Sequence, residues 1–445
     1  MYVACKNRIC SAVTMLTSWG LYPKIDAVTD IPISRAHASM MVASSEKLIP
    51  RGNGRSYGDS ALGDCVISSL ARDHVIDLNR KNQTIHVNAG ITMDRLLEFL
   101  IPRGFFPPVV PGTKYITIGG AVASDIHGKN HHKEGTFTRH VKRISVITSN
   151  GDVVECSPDY NTDLFRATCG GMGLTGFIHD VEFSLKPIHG SMIEQTAHRA
   201  QNLDELFELF DLYREHEYSV AWIDCMTSGS SFGRGVMFVG KHDLSERTLF
   251  KSSQFPIPVP NLKTGILNSA ISRVFNFAYY HRHMKKISQR IVDMDTFFFP
   301  LDKIKSWNHL YGRQGFTQYQ FVIPKASGKM GVSEVLSRVA QRSNASFLAV
   351  LKLFGPKNEN YLSFPIEGYT LSLDFQIDDQ LFSFLHELNQ IVIGHGGRVY
   401  LSKDVCLSQP DFERMYASNV QDFQNVRRKF NAMKFTSLQS RRLGL

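Results

Sequence analysis

Residues 170–176, GGMGLTG, contain a formal GxGxxG from Gly171 to Gly176, and what flanks this run decides the fold. A dinucleotide fingerprint of the Rossmann kind must follow a strand and open a helix, so that a pyrophosphate meets the helix N-terminus. Here the order is reversed. Asp159 to Thr168 has the spacing of a short amphipathic helix, and Phe177 to Leu185 alternates at the strand period before Pro187 closes the segment. A nicotinamide-binding reading loses its main support.

Upstream, Val141 to Thr148 and Val153 to Cys156 flank Asn150-Gly151, a two-residue hairpin signal in which both central positions take positive φ. Val75 to Leu78 and Thr84 to Asn88 alternate as strands, and Thr92 to Ile101 has helical spacing stopped by Pro102 and Gly104. Residues 31–188 therefore read as α/β or α+β. Downstream, Asn202 with Glu205 resembles a capping box, and strands are expected at Val220 to Cys225, Gln318 to Ile323, Phe347 to Phe354 and Thr370 to Ile377. These suit a second domain on a largely antiparallel sheet. The run from Lys251 to Arg290 is rich in Pro, Ser, aromatic and basic residues and reads as a long irregular insert. From Tyr400 the chain turns polar and basic.

A chain of 445 residues exceeds the size of one hydrophobic core, so two domains are expected. With 43% hydrophobic and 20% charged residues it should fold throughout. The net charge of +9 raises the question of a polyanionic partner, but the basic residues are spread out and no nucleic-acid-binding signature accompanies them. No nucleic-acid partner is expected. The seven cysteines are scattered and odd in number, which fits a reducing compartment, and Cys5 and Cys10 lack metal-site spacing, so no metal is expected. Residues 1–21 are too interrupted for a spanning helix or a clear signal peptide. Peripheral membrane contact remains open.

Two further glycine clusters precede the quoted run. In Pro50 to Asp59, with Gly52, Gly54 and Gly58, the backbone can turn its N–H groups onto an anion, and Arg51 and Arg55 could add charge. By itself this reads equally as a surface turn. In Pro111 to Asn130, Gly119, Gly120, Ala121, Ala123 and Ser124 run into His127 and Lys129. So little side-chain bulk implies close backbone approach, to a ligand or to a packed helix.

The three clusters in this order resemble the vanillyl-alcohol-oxidase (PCMH) type of FAD-binding domain, and within it the decaprenylphosphoryl-ribose oxidase branch. The residues that carry the resemblance are RGNGRSYGD (51–59), PGTKYITIGGAVASDIHGKNHH (111–132), GGMGLTG, and Gln318 to Pro324, Leu351 to Gly355 and Tyr400 to Asp404. It implies an α+β chain with a two-subdomain FAD-binding domain at 14–190, an inserted substrate domain at 191–397, and a segment at 398–445 returning to the first. It implies FAD held by Arg51, Gly52, Asn53, Gly54, Arg55, Ser56, Tyr57, Gly58 and Asp59, by Gly112, Thr117, Ile118, Gly119, Gly120, Ser124, Asp125, Ile126 and His127, and by Ile178 and Tyr400. Covalent relatives carry a histidine where this chain has Arg55, so the flavin is expected to be non-covalent.

Hydride transfer from a carbinol needs a held flavin, a positioned carbon and a group to take the hydroxyl proton. The resemblance implies Lys403, His127 and Tyr57 as catalytic residues and Lys129, Gln318, Gln320, Lys352, Phe354, Thr370 and Ser372 around the substrate. From the residues alone, Lys352 is a lone charge in an apolar strand, costly unless paired or functional. Lys403 beside Asp404 reads as an exposed ion pair, His131 and His132 as peripheral, and Trp222 as core or pocket wall. Ser372 stands where relatives can present a cysteine. The resemblance implies oxidation of the 2-hydroxyl of a polyprenylphosphoryl ribose, with a partner keto-sugar reductase completing epimerisation, in the cytoplasm or at the inner membrane face. Competing readings are an aldonolactone or alditol oxidase using oxygen, and a basic binding protein retaining a flavin fold without turnover.

Overall fold

The structure, a computed structural model, describes residues 12–244, 257–260, 263, 265, 269–342, 346 and 349–445. Cys5, Cys10, the beginning of the basic insert at Lys251 and the first two residues of the strand expected from Phe347 lie outside the described residues.

The first half holds a four-stranded and a five-stranded sheet beside a two-stranded pair. Strands Ala12–Thr17, Lys24–Asp30, Cys65–Ser68 and Ile49–Arg51 lie side by side in that order, the first pair antiparallel and the others parallel. A five-stranded antiparallel sheet follows, ordered Val75–Asn79, Thr84–Asn88, Phe177–Ser184, Val141–Ile147 and Val153–Cys156. Helix Met93–Leu100 buries Met93, Leu96, Leu97 and Leu100, the i, i+3, i+4, i+7 stripe read in the sequence, and Gly104 ends the following turn at φ 82°. The quoted glycine run does lie between helix Thr162–Thr168 and strand Phe177–Ser184.

The hairpin at Asn150-Gly151 is present, but its turn is not the one expected. Ile147 pairs with Val153, Thr148 and Asp152 close the loop, and the Gly151 N–H donates to the Thr148 carbonyl at 2.9 Å. Gly151 is the loop residue with positive φ, at 86°, which makes this a turn ending in a left-handed glycine. Ser149 explains the longer loop: its hydroxyl donates to the Asn431 carbonyl at 2.5 Å, so the C-terminal segment pins the turn.

The second half is an eight-stranded sheet in which every pairing is antiparallel. Its order is Ile287–Asp293, Met192–Ala200, Gly235–His242, Tyr218–Ile223, Ala349–Phe354, Gly368–Gln376, Phe316–Pro324 and Arg398–Val399. The α+β class and the antiparallel second sheet are thus as expected. Side chains alternate across a strand, so the sheet has two different faces. Phe321, Ile323, Leu351, Leu353, Leu371, Leu373 and Phe375 turn one way into the core beneath helices Leu203–Leu212, Lys325–Ala340 and Leu381–Gly394. Between them Gln318, Gln320, Lys352, Thr370 and Ser372 turn the other way, brought level by the pairs Gln320↔Ser372 and Lys352↔Thr370.

The insert read as irregular is ordered in its second half. Residues 269–293 form helix Ser269–His281 and the edge strand Ile287–Asp293. The polar tail contains a 21-residue helix, Gln409–Lys429, capped by the Ser408 side chain with Pro410 in its first turn. Its apolar stripe is sparse among charges, yet Phe412, Tyr416, Phe423 and Val426 bury against Ile49, Val66 and Leu174 of the first half. The strand Arg398–Val399 still belongs to the large sheet, so the chain crosses back only after it.

Candidate active site

A cavity of about 300 Å³ lies between the glycine runs and the polar face of the large sheet. Its wall includes Arg51, Gly52, Asn53, Gly54, Arg55, Ser56 and Tyr57 from the first run, and Gly112, Thr117, Gly119, Gly120, Ser124, Ile126 and His127 from the second. Met172, Gly173, Gly176 and Ile178 follow from the third, with Gln318, Gln320, Lys352, Ser372, Tyr400 and Lys403 opposite. Segments more than 300 residues apart in sequence meet here.

The first run suits an anion. Among the described residues, the backbone N–H groups of Asn53, Gly54, Arg55 and Ser56 meet no protein acceptor, and all four residues line the cavity. Unpartnered amides in a glycine loop are the donors that a pyrophosphate takes. The run is packed hard on its neighbours: a Cβ on Gly52 would lie 2.2 Å from Thr117 Oγ1, and one on Gly58 would lie 1.6 Å from the Asp404 carbonyl oxygen. The Tyr57 N–H donates to the Ser402 carbonyl at 3.0 Å, so the glycine run and the Lys403 turn move as one piece. Arg51 spends its guanidinium on the Thr17 and Ala61 carbonyls, whereas Arg55 stacks 4.1 Å from the Trp19 ring centre. The residues present fit FAD.

On the sheet side, hydrogen bonds run in a line. The Thr370 hydroxyl donates to the Phe321 carbonyl at 2.8 Å, so it accepts from Gln320 Nε2 at 3.2 Å, and the second N–H of that amide points at His127 Nε2, 3.1 Å away. A neutral imidazole that accepts at Nε2 keeps its proton on Nδ1, which lies 3.2 Å from Lys352 Nζ. Burial holds His127 well below the ordinary imidazole value, with the charges of Lys352, His131 and Lys403 adding to the effect. Burial likewise brings Lys352 down to about 8, so its free amine, the form that can meet Nδ1–H, is within reach of neutral pH.

Lys403 stands over the Tyr57 ring with Nζ 3.8 Å from its centre. Burial, assisted by Lys352, lowers it to about 7 against the opposing pull of Asp374. Asp374 is itself raised to about 6 by burial, while Gln318 Nε2 donates to it at 2.6 Å. The ion pair expected between Lys403 and Asp404 is absent: Asp404 takes Arg442 at 3.0 Å instead.

Seven of the expected residues lie outside the cavity wall. Gly58 packs on the Asp404 backbone, Asp59 pairs with Arg442, Ile118 is core, and Thr370 anchors the line just described. Asp125 gathers Thr138, Asn358, Asn360 and Ser363, tying the second glycine run to residues 358–363. Lys129 donates to the carbonyls of Phe297 and Phe298 at 2.7 and 2.9 Å, and Phe354 packs 4.7 Å from the His127 ring. His131 is buried, not peripheral, with Nδ1 accepting from the Gly355 N–H at 3.1 Å. Trp222 is buried against Tyr279 and does not line the cavity.

Asp374 was legible but passed over, since it continues the Thr370, Ser372 alternation on one strand. Trp19, Asp302 and Trp307 also line the cavity, and nothing local in their sequence marks them.

Residues 35–157 match the FAD binding domain family. The chain is 34% identical over 412 residues to decaprenylphosphoryl-beta-D-ribose oxidase of Mycolicibacterium smegmatis, covering 89% of each protein. It is 32% identical over 372 residues to an uncharacterized protein of Streptomyces coelicolor, covering 80% of this chain and all of that one. Similarity to D-2-hydroxyglutarate dehydrogenase of Haemophilus influenzae, 29% over 149 residues, covers 33% of this chain and 14% of that enzyme. With a cavity built to hold a flavin and these two long relatives, the chain belongs to the PCMH-type FAD-binding oxidoreductases, in the family of decaprenylphosphoryl-beta-D-ribose oxidase.

Proposed function

We propose that the protein oxidises the 2-hydroxyl of a polyprenylphosphoryl ribose-like sugar, giving a keto sugar that a partner reductase then completes to the arabinose epimer. The observation that carries this reading is the pairing of the glycine-run cavity with Lys403 and Lys352 on its opposite wall. Bound FAD supplies the acceptor for the hydride that leaves the carbinol carbon.

The remaining work falls to the chain's own residues. Lys403, as its free amine, takes the hydroxyl proton. Lys352 holds the sugar through its outward N–H groups, its angle set by the His127 Nδ1–H that it accepts, while Gln318 and Ser372 contact the ring. Arg55, whose guanidinium has no carboxylate within ion-pair distance among the described residues, receives the phosphate. The polyprenyl tail implies work at a membrane face, although no described helix is long and apolar enough to cross a membrane. Anaerobic loss of the visible flavin absorbance on adding polyprenylphosphoryl ribose, with no loss on adding an aldonolactone, is the expected result. The reverse pattern moves the assignment to the lactone-oxidase reading.

Two predictions follow from these roles. Lys403 is lowered to about 7, so below that pH it carries a proton and cannot accept another. The anaerobic bleaching rate should therefore climb about tenfold per pH unit up to roughly 7 and then level. A rate independent of pH through that range removes Lys403 as the base. Second, because Arg55 stands where a linking histidine would be, acid or heat denaturation should release all the flavin into the supernatant. Colour remaining with the precipitated chain would mean a covalent bond elsewhere.

A further inference from the structure

Helix Ser269–His281 is inside out. Its inward positions, four apart, are Ser272, Asn276 and Tyr280, at 3%, 1% and 7% exposure. Asn276 Nδ2 donates to Asp224 Oδ1 at 2.9 Å, and the Arg234 guanidinium lies 4.6 Å from the Tyr280 ring centre. Its outward positions carry Val274 at 71% and Phe277 at 58% exposure. A helix that simply covered the sheet would have the opposite pattern. Past the helix Met284 is exposed at 83%. Large exposed apolar side chains grouped on the outer side of one helix mark an interaction surface.

Charge identifies the partner. From residue 269 to residue 292 the chain has no Asp or Glu and carries Arg273, Arg282, Lys285, Arg290 and Lys286, the last paired with Glu205 at 3.0 Å. A two-fold contact between two copies would set this basic patch against itself, which like charges oppose. A bilayer with anionic headgroups answers both features, phosphates for the cations and the acyl boundary for Val274, Phe277 and Met284.

Position agrees. Tyr279 packs 4.7 Å from Trp222, and Trp222 pairs directly across the ladder with Val350, which lines the cavity. Directly paired residues share a face of the sheet, so the helix flanks the catalytic cavity.

We infer that the outward face of helix Ser269–His281, with Met284 beyond its end, seats the protein on an anionic lipid surface. The lipid tail of the substrate then leaves the cavity toward the bilayer, a point that rests on the proposed activity. The docking itself does not.

The test uses the full flavin-loaded chain and vesicles without substrate. Sedimentation with phosphatidylglycerol-containing vesicles should be at least about tenfold stronger than with phosphatidylcholine alone and should weaken with salt. The double substitution Val274→Asp with Phe277→Asp, both exposed positions, should lower it by about tenfold or more while leaving the flavin spectrum intact. Oxidation of a soluble short-tailed prenylphosphoryl pentose should be unchanged in that variant. Equal sedimentation of wild type and variant, or none by either, overturns the docking. So does a wild-type dimer on size exclusion that the variant dissolves, because a second copy then covers the face. If vesicles bind as expected but no prenylphosphoryl pentose bleaches the flavin, the activity falls and the docking stands.

Discussion

Replacing Lys403 by methionine should lower the anaerobic bleaching rate by about a thousandfold, within the range that a positioned general base contributes. Binding of the flavin should survive. Lys403 faces the cavity from the turn after Tyr400, and the bonds that shape that turn are backbone ones, Lys403 N–H to the Tyr400 carbonyl at 2.9 Å and Tyr57 N–H to the Ser402 carbonyl at 3.0 Å. Its loss leaves Asp374 with Gln318 at 2.6 Å and Tyr311 at 3.4 Å, enough to satisfy a carboxyl already raised to about 6. Lys352→Met is the control. If Lys352, held by His127, orients the sugar, its loss should raise KM more than it lowers the rate. A Lys403→Met protein that bleaches within threefold of wild type would require the proton to leave by another group, and Lys352, lowered to about 8, is next in line.

The second large effect is expected four residues from the end of the chain. Arg442 reaches Asp59 at 2.7 Å and Asp404 at 3.0 Å, two nearly inaccessible carboxylates with side-chain exposures of 7% and 2%. Asp59 ends the first glycine run and Asp404 follows Lys403, so one guanidinium holds the two walls of the cavity together. Gln439 Nε2 adds bonds to the Leu401 carbonyl at 2.7 Å and to Asp404 at 3.2 Å. Arg442→Ala leaves both carboxylates buried without their cation, a change that costs about 3–5 kcal/mol. The flavin-loaded fraction should fall sharply and thermal unfolding should move to lower temperature. Adding Asp59→Asn should restore part of both, because it removes one of the stranded charges. Undiminished flavin content in Arg442→Ala would show that the glycine run and the lysine turn are held by their backbone contacts alone.

Much of this architecture was legible because its signals are local. The helix stripe from Met93 to Leu100, the alternation from Phe177 to Ser184 and the glycine runs each declare themselves within a dozen residues. The hairpin at Gly151 was located but its turn misjudged, because Ser149 bonds to a residue almost 300 positions away and no local rule contains that partner. Helix Ser269–His281 escaped for a related reason: its apolar residues face outward and its polar ones inward, so a search for a buried stripe finds none. Helix Gln409–Lys429 carried a readable start at Ser408, Pro410 and Asp411, hidden by its mean polarity.

The candidate site divides in the same way. Composition and spacing alone left residues 50–59 even between an anion nest and a surface turn, and pointed to a ligand or a packed helix at 111–130 and to Lys352 as a charge that needed a reason. The sequence by itself also took the main support from the Rossmann reading, since helix and strand stand in the wrong order around Gly171 to Gly176. Only the tertiary structure decided that Lys403 faces the cavity and not Asp404, that Thr370 and Gln320 set the proton on His127, and that Arg442 closes the assembly. Backbone conformation and face alternation depend on near neighbours and can be read in order along a chain. A proton's position or a lysine's charge depends on which groups are brought within about 3 Å in a water-poor space, and those partners come together only when the sheets close on one another.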